Sequence, residues 1–150
     1  MSELMITYRG VVYPRHCDHM GHMNVMWYTG KFDEASWQLL SQLGLTQARF
    51  SLDGTGLAAV EQHTEYKREL RAGDAITIRS TLLEMKEKSI RMMHEMRNDV
   101  SGEVAAITNI VGIYFDTTVR KSIPLPADVR EAAKREEAAI QKMIFSESWI

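Results

Sequence analysis

The sequence has one cysteine in 150 residues, so no internal disulfide can form, and the lone Cys17 fits a reducing compartment. No apolar run approaches the roughly 18 residues of a membrane span. Residues 1–15 lack the apolar stretch of a secretory leader. There is no excess of either charge. Eighteen Lys and Arg against 20 Asp and Glu leave a net charge of -2, which gives no field for nucleic acid. An anionic ligand would therefore have to be met by local Lys and Arg. No internal repeat and no domain boundary divides the chain. These absences lead to one domain over residues 1–150, soluble and cytoplasmic, long enough to bury a core without metals or disulfides. Ten methionines are many for this length and serve as adaptable core filler.

Element patterns follow in chain order. Ile6 to Tyr13 is β-rich and stops at Pro14. A polar loop, residues 14–24, comes next. From Val25 the spacing changes: Val25, Tyr28, Phe32, Ala35, Leu39, Leu40 and Leu43 recur at three and four residues, which predicts a helix over Val25–Leu43. Asn24 is a good N-cap, and Met23 and Tyr28 stand where a hydrophobic staple would. Gly44 is the expected stop. Residues 44–56 read as a loop.

Four strand-like runs follow: Leu57–Leu70, Ala75–Met85, Ser89–Asn98 and Glu103–Asp116. Turn signals at Arg71–Asp74 and Asp99–Gly102 make antiparallel neighbours of them. The run Ser89–Asn98 alternates Ile90, Met92, His94 and Met96 against Arg91, Glu95 and Arg97, the mark of a half-buried strand. Glu103–Asp116 is apolar on both faces and should be central. Ser122–Pro126 reads as an extended linker, and residues 127–145 as an amphipathic C-terminal helix. One long helix followed by a meander predicts an α+β layer arrangement. A single helix cannot cover both faces and both edges of such a sheet, so a partner subunit is expected.

The chemistry concentrates in His16-Cys17-Asp18-His19-Met20-Gly21-His22-Met23-Asn24. A metal is the first possibility, since every acid, His and Cys there can ligate. Zinc sites draw on two separated ligand clusters, and only one exists here, so no metal is expected. Cys17 as a nucleophile would need a positioned base that the sequence does not identify. Asp18 is the third possibility. It lies just ahead of a helix start whose unpaired N–H groups, notably those of Val25 and Met26, can hold a carbonyl and stabilise charge developing on it. A carboxylate nearby could attack that carbonyl or activate a water, which suits acyl transfer or hydrolysis. Residues alone leave open the plainer role, Asp18 satisfying loop amides.

Asp18-His19-Met20-Gly21-His22-Met23-Asn24 followed by Tyr28 resembles the D-x-x-G-H-[VM]-N-x-x-x-Y signature of hot-dog-fold acyl-CoA thioesterases, the 4-hydroxybenzoyl-CoA thioesterase-like group. Phe32 and Ala35, the Arg71–Asp74 turn and the Ile123-Pro124 ending also match, and the element order covers nearly the whole chain. The sequence departs from many relatives at His16, where an acid is common, and at Val25, where a second Asn is common.

The resemblance implies a curved antiparallel sheet of about five strands wrapped around the Val25–Leu43 helix, in a homodimer or homotetramer with active sites between subunits. It implies a hydrolase cleaving an acyl-CoA to free acid and CoA. Asp18 would be nucleophile or general base, with Asn24 and Val25 supplying the helix-start amide. His22 would fix the loop beside substrate, and Tyr28 would line the site. CoA would belong to the substrate, with no separate cofactor. Its phosphates need cations, and Lys67 and Arg68 are the first choices. His63 and His94 are expected to be ordinary strand residues, and Asp33 and Glu34 an outward polar face. Trp27, Tyr28 and Trp37 could accept an aromatic or quaternary ammonium acyl group if they line the pocket. Alternatives are a thioesterase acting on acyl-carrier protein and a non-catalytic acyl-CoA binding module.

Overall fold

The computed structural model describes residues 4–136. Its elements are β1 (Met5–Val11), a 3-10 turn (Pro14–His16), α1 (Val25–Gln42), α2 (Gln47–Asp53), β2 (Thr55–Tyr66), β3 (Ala75–Met85), β4 (Ser89–Asn98), β5 (Val104–Asp116) and β6 (Lys121–Ser122). Residues 127–136 are helical, in line with the expected C-terminal helix; residues 137–145 of that expectation lie outside the described residues.

The sheet is antiparallel throughout, in the order β1-β3-β4-β5-β2, with two-residue β6 beside β5. It curls as a half-barrel, and α1 packs across β1, β3 and β4. The central place expected for the fourth run holds: β5 pairs with β4 on one side and β2 on the other. Helix α1 starts and stops where its signals stand. Asn24 Oδ1 accepts from the Met26 N–H at 2.9 Å, and Gly44 adopts a left-handed φ of 94° just beyond the cap at Leu43. Its buried stripe is Tyr28, Phe32, Ala35, Leu39 and Leu40, set against Ile76, Ile78, Met92 and Met96. Burying each of the larger apolar side chains contributes about 1.5–3 kcal/mol. Val25 departs from the expected stripe. It is 56% exposed and lines a cavity at the start of the helix.

The loop expected over residues 44–56 holds a helix instead. Thr46 Oγ1 accepts from the Arg49 N–H, Gly54 closes the other end with φ 66°, and Phe50 turns into the core, against Tyr114. That helix has one buried residue in two turns, too few to leave a periodic pattern. Strand β2 starts and ends earlier than expected, so Lys67 and Arg68 follow the strand; both backbone N–H groups bond Ala105 O. The 12-residue β2 is an edge, mostly exposed along its length.

Candidate active site

The loop between β1 and α1 is held at several points. Pro14–His16 makes one tight turn, and Cys17 and Met23 then pair as an isolated antiparallel bridge. Between them the chain reverses, with Asp18 N–H bonding His22 O and Gly21 N–H bonding Asp18 O. Gly21 supplies the positive φ, 83°, that this reversal needs. Met23 is buried, and its N–H bonds Leu70 O at 2.7 Å, fastening the loop to the segment after β2.

This geometry gives Asp18 two donors. The Met20 N–H reaches Oδ1 at 2.9 Å, and the Asn24 side-chain amide reaches Oδ2 at 2.7 Å. The Asn24 bond first, then the Met20 bond, holds the Asp18 carboxyl below the usual carboxylate range, so it is ionised at neutral pH. Asn24 thus binds at both ends: its amide nitrogen holds the carboxylate, and its carbonyl caps the Met26 N–H. The Trp27 N–H is taken by Asn24 O. The Val25 N–H has no acceptor among the described residues. One helix-start donor is therefore left open beside a fixed carboxylate.

Five of the seven expected site residues, His22, Val25, Tyr28, Lys67 and Arg68, line one cavity of about 220 Å³. Tyr66 completes the wall, with its ring edge-on to Tyr28 at 5.1 Å. Asp18 and Asn24 do not line it; their loop borders it at His22 and Met23. Tyr28 is buried, and its hydroxyl donates to Arg68 O at 3.4 Å. Burial, ahead of the Tyr66 and Glu69 charges, pushes its pKa up to about 12, so it is neutral at neutral pH. His22 Nδ1 is 3.4 Å from Met23 O, and its Nε2 is 3.7 Å from Glu69. Lys67 and Arg68 carry exposed ion pairs, to Glu65 at 3.1 Å and Glu103 at 2.6 Å.

Other residues fall differently. Cys17 is half-buried, its Sγ 3.7 Å from Tyr13 O. Among the described residues no three His, Cys, Asp or Glu converge as a metal site would require. His63 is exposed, and His94 stands on β4 on the inward face it shares with Ile90, Met92 and Met96. It is fully buried between Ser80 and Ser36, and burial lowers its pKa to about 4. Its alternation with Ile90, Met92 and Met96 was the available signal. Asp33 and Trp37, one turn apart on α1, line a second cavity of about 280 Å³ toward β2, with Gln62, Leu57 and Met92. Asp33 and Glu34 are both exposed, as the expected outward polar face requires, and Asp33 also borders this cavity.

The model of the family described as "Thioesterase-like superfamily" matches residues 12–133, most of the chain, including this loop, α1 and strands β2 to β6. The chain belongs to that superfamily. As a thioesterase-like protein it is a thioester hydrolase of the hot-dog fold. It is similar to the betainyl-CoA thioesterase of Pseudomonas aeruginosa, 25% identical over 129 residues, with 86% of this chain and 81% of that protein covered. It is 30% identical over 117 residues to the L-carnitine dehydrogenase/betainyl-CoA thioesterase of Rhizobium meliloti, covering 78% of this chain but 23% of that longer protein. Among solved structures, DHNA-CoA thioesterase from Staphylococcus aureus superposes with a TM-score of 0.81 at 19% identity, covering 90% of this chain and 92% of that one.

Proposed function

We propose that Asp18 and the Val25 N–H carry out hydrolysis of an acyl-CoA, giving CoA and the free acid. The observation behind this reading is the Asn24 bridge, which fixes an ionised carboxylate while leaving the Val25 N–H open. The Val25 N–H would hold the thioester oxygen and stabilise the oxyanion as the carbonyl carbon is attacked. The C–S bond then breaks and CoA leaves as a thiolate that takes up a proton. Asp18 would act by direct attack on the carbonyl carbon, giving an acyl anhydride that water then cleaves, or by activating a water for that attack. Asp18→Asn should lower kcat by about 10²–10⁴-fold with the circular dichroism unchanged. A fully active variant would refute the role. The open 12-residue β2 edge supports a homodimer joined through that strand. Sedimentation as a monomer at assay concentrations would refute it.

The cavity beside Asp33 and Trp37 favours a cationic acyl group. It offers a carboxylate and an indole, with no Lys or Arg on its walls. The relatives that hydrolyse betainyl-CoA agree with this. The discriminating pair is betainyl-CoA and 3,3-dimethylbutanoyl-CoA, which replaces the ammonium nitrogen with carbon. The ammonium also activates its thioester, so each rate is divided by its hydroxide-catalysed rate. A corrected kcat/KM preference of about tenfold or more for betainyl-CoA is expected. A ratio near one would refute the cationic substrate and leave the hydrolase reading intact.

A further inference from the structure

On the other side of α1, toward β1, lies a cleft of about 500 Å³ that the hydrolysis above does not use. Its walls carry Tyr8, Tyr13, Arg15, Trp27, Lys31 and Glu34. Lys31 stands out physically. It is 4% exposed, and Tyr8 Oη, at 2.8 Å, is the only acceptor for its ammonium among the described residues. No carboxylate lies within ion-pair distance of it among those residues. A buried cation is costly unless an anion compensates it.

The neighbours do not compensate it. Arg15 stacks on Tyr13 at 4.8 Å, also without a carboxylate among the described residues. His16 Nδ1 accepts the Tyr13 N–H at 3.0 Å, and its ring rests on Trp27 at 4.5 Å. Burial, ahead of the charges of Lys31 and Arg15, keeps that imidazole's pKa below its ordinary value. The cleft therefore holds two cations against the single, exposed carboxylate of Glu34. The arrangement is also built into the strand. A Cβ at Gly10 would stand 2.5 Å from Tyr8 Oη, so only glycine lets the Tyr8 ring fold back to meet Lys31.

We propose that this cleft binds the phosphate of a ring-bearing small molecule, a nucleoside phosphate. The phosphate would sit between the Lys31 ammonium and the Arg15 guanidinium, and the base against the aromatic wall. Its volume lies in the range of small-molecule sites. Two sources share this chemistry, a free nucleotide and the nucleotide end of CoA. AMP, adenosine and CoA are the probes, each titrated calorimetrically into the full-length protein at fixed ionic strength.

AMP should bind and adenosine should bind at least about tenfold more weakly, one charge-assisted contact's worth. Lys31→Met, which keeps the buried volume, and Arg15→Gln, at an exposed position, should each weaken AMP by a similar factor. If AMP competes with CoA and Lys31→Met raises KM for acyl-CoA at unchanged kcat, the source is the substrate's own nucleotide. If AMP and CoA bind together and Lys31→Met spares KM, the source is a free effector. AMP binding that is absent, equal to that of adenosine, or unchanged in both variants overturns the proposal. None of these outcomes depends on Asp18 or on which acyl group is cleaved.

Discussion

Acid should loosen this protein through His94 before it reaches the carboxylates. The His94 ring is fully buried, with Nε2 2.8 Å from Ser36 Oγ and Nδ1 on Ser80 Oγ. Ser36 donates its own proton to Phe32 O, so His94 Nε2–H is the donor of that pair. Ser80 can then donate to Nδ1 while accepting from Thr7, 2.6 Å away. The neutral ring is satisfied at both nitrogens, and no carboxylate among the described residues awaits the charged one. Burial accordingly lowers its pKa from 6.5 to about 4. The sign follows. Above the unfolded value both states are neutral and the stability is full. As pH falls from 6.5 toward 4 the unfolded chain takes a proton that the folded one refuses, and stability declines. The whole window is worth about 3 kcal/mol, with about 2 kcal/mol gone by roughly pH 5. Urea denaturation followed by tryptophan fluorescence measures this directly. His94→Gln keeps one hydrogen bond and removes the titration. It should be less stable than wild type at about pH 7.5, by roughly 1–3 kcal/mol, and that difference should shrink by about 2 kcal/mol at roughly pH 5. Asp18, Glu65 and Asp128, whose pKa values are also lowered, are common to both proteins and cancel in the difference. Parallel stability curves for the two proteins would refute the buried-imidazole argument.

Two further outcomes can be stated. Asn24→Ala removes the helix cap, costing about 1 kcal/mol, and removes the larger of the two bonds holding Asp18 down. The Asp18 pKa then rises toward its ordinary value, and the acid limb of kcat/KM should move to higher pH; an unmoved limb would separate Asp18 from the chemistry. Phe50→Ala should cost about 3–5 kcal/mol, since Phe50 is the buried contact of α2 and stands edge-on to Trp37 at 6.0 Å. Thermal denaturation reads the loss, and a stability change under about 1 kcal/mol would mean that α2 is not part of the core.

What could be read from the sequence divides along a physical line. Helix α1 could be bounded almost to the residue because its cap, its apolar stripe and its terminal glycine are local signals that agree. Asp18 could be placed close to the helix start because only six residues separate it from Asn24, but its bond to the Asn24 side chain was not an expectation from the sequence. Lys31 and Ser36 could not be placed inside, since they flank the stripe at angles where solvent and core are equally available. Their burial is decided by Tyr8 on β1 and His94 on β4, partners 23 and 58 residues away. Helix α2 shows the converse limit. Its cap and its closing glycine were visible, but a helix with one buried residue has no periodicity to confirm it.

The expected CoA cations repay a closer look at what their ion pairs imply. Lys67 and Arg68 are fixed by their backbones, which both donate to Ala105 O, and not by their charges. Their side-chain partners, Glu65 and Glu103, are more than half exposed. Surface pairs of this kind contribute about 0–1 kcal/mol each, so exchanging a glutamate for an arriving phosphate costs little. Asp18 is the opposite case. Its two donors come from one reversal and one helix cap, and neither can leave without unfolding the loop or fraying α1. The site therefore combines a carboxylate that is fixed when the helix forms with cations that stay exchangeable at its rim. In the proposed hydrolysis, that division would let CoA leave while Asp18 stays in place. Replacing Glu103 with Gln, which frees Arg68, should accordingly lower KM for acyl-CoA by up to about fivefold and leave kcat unchanged. A fall in kcat would mean that Arg68 acts on the reacting atoms and not on the phosphates.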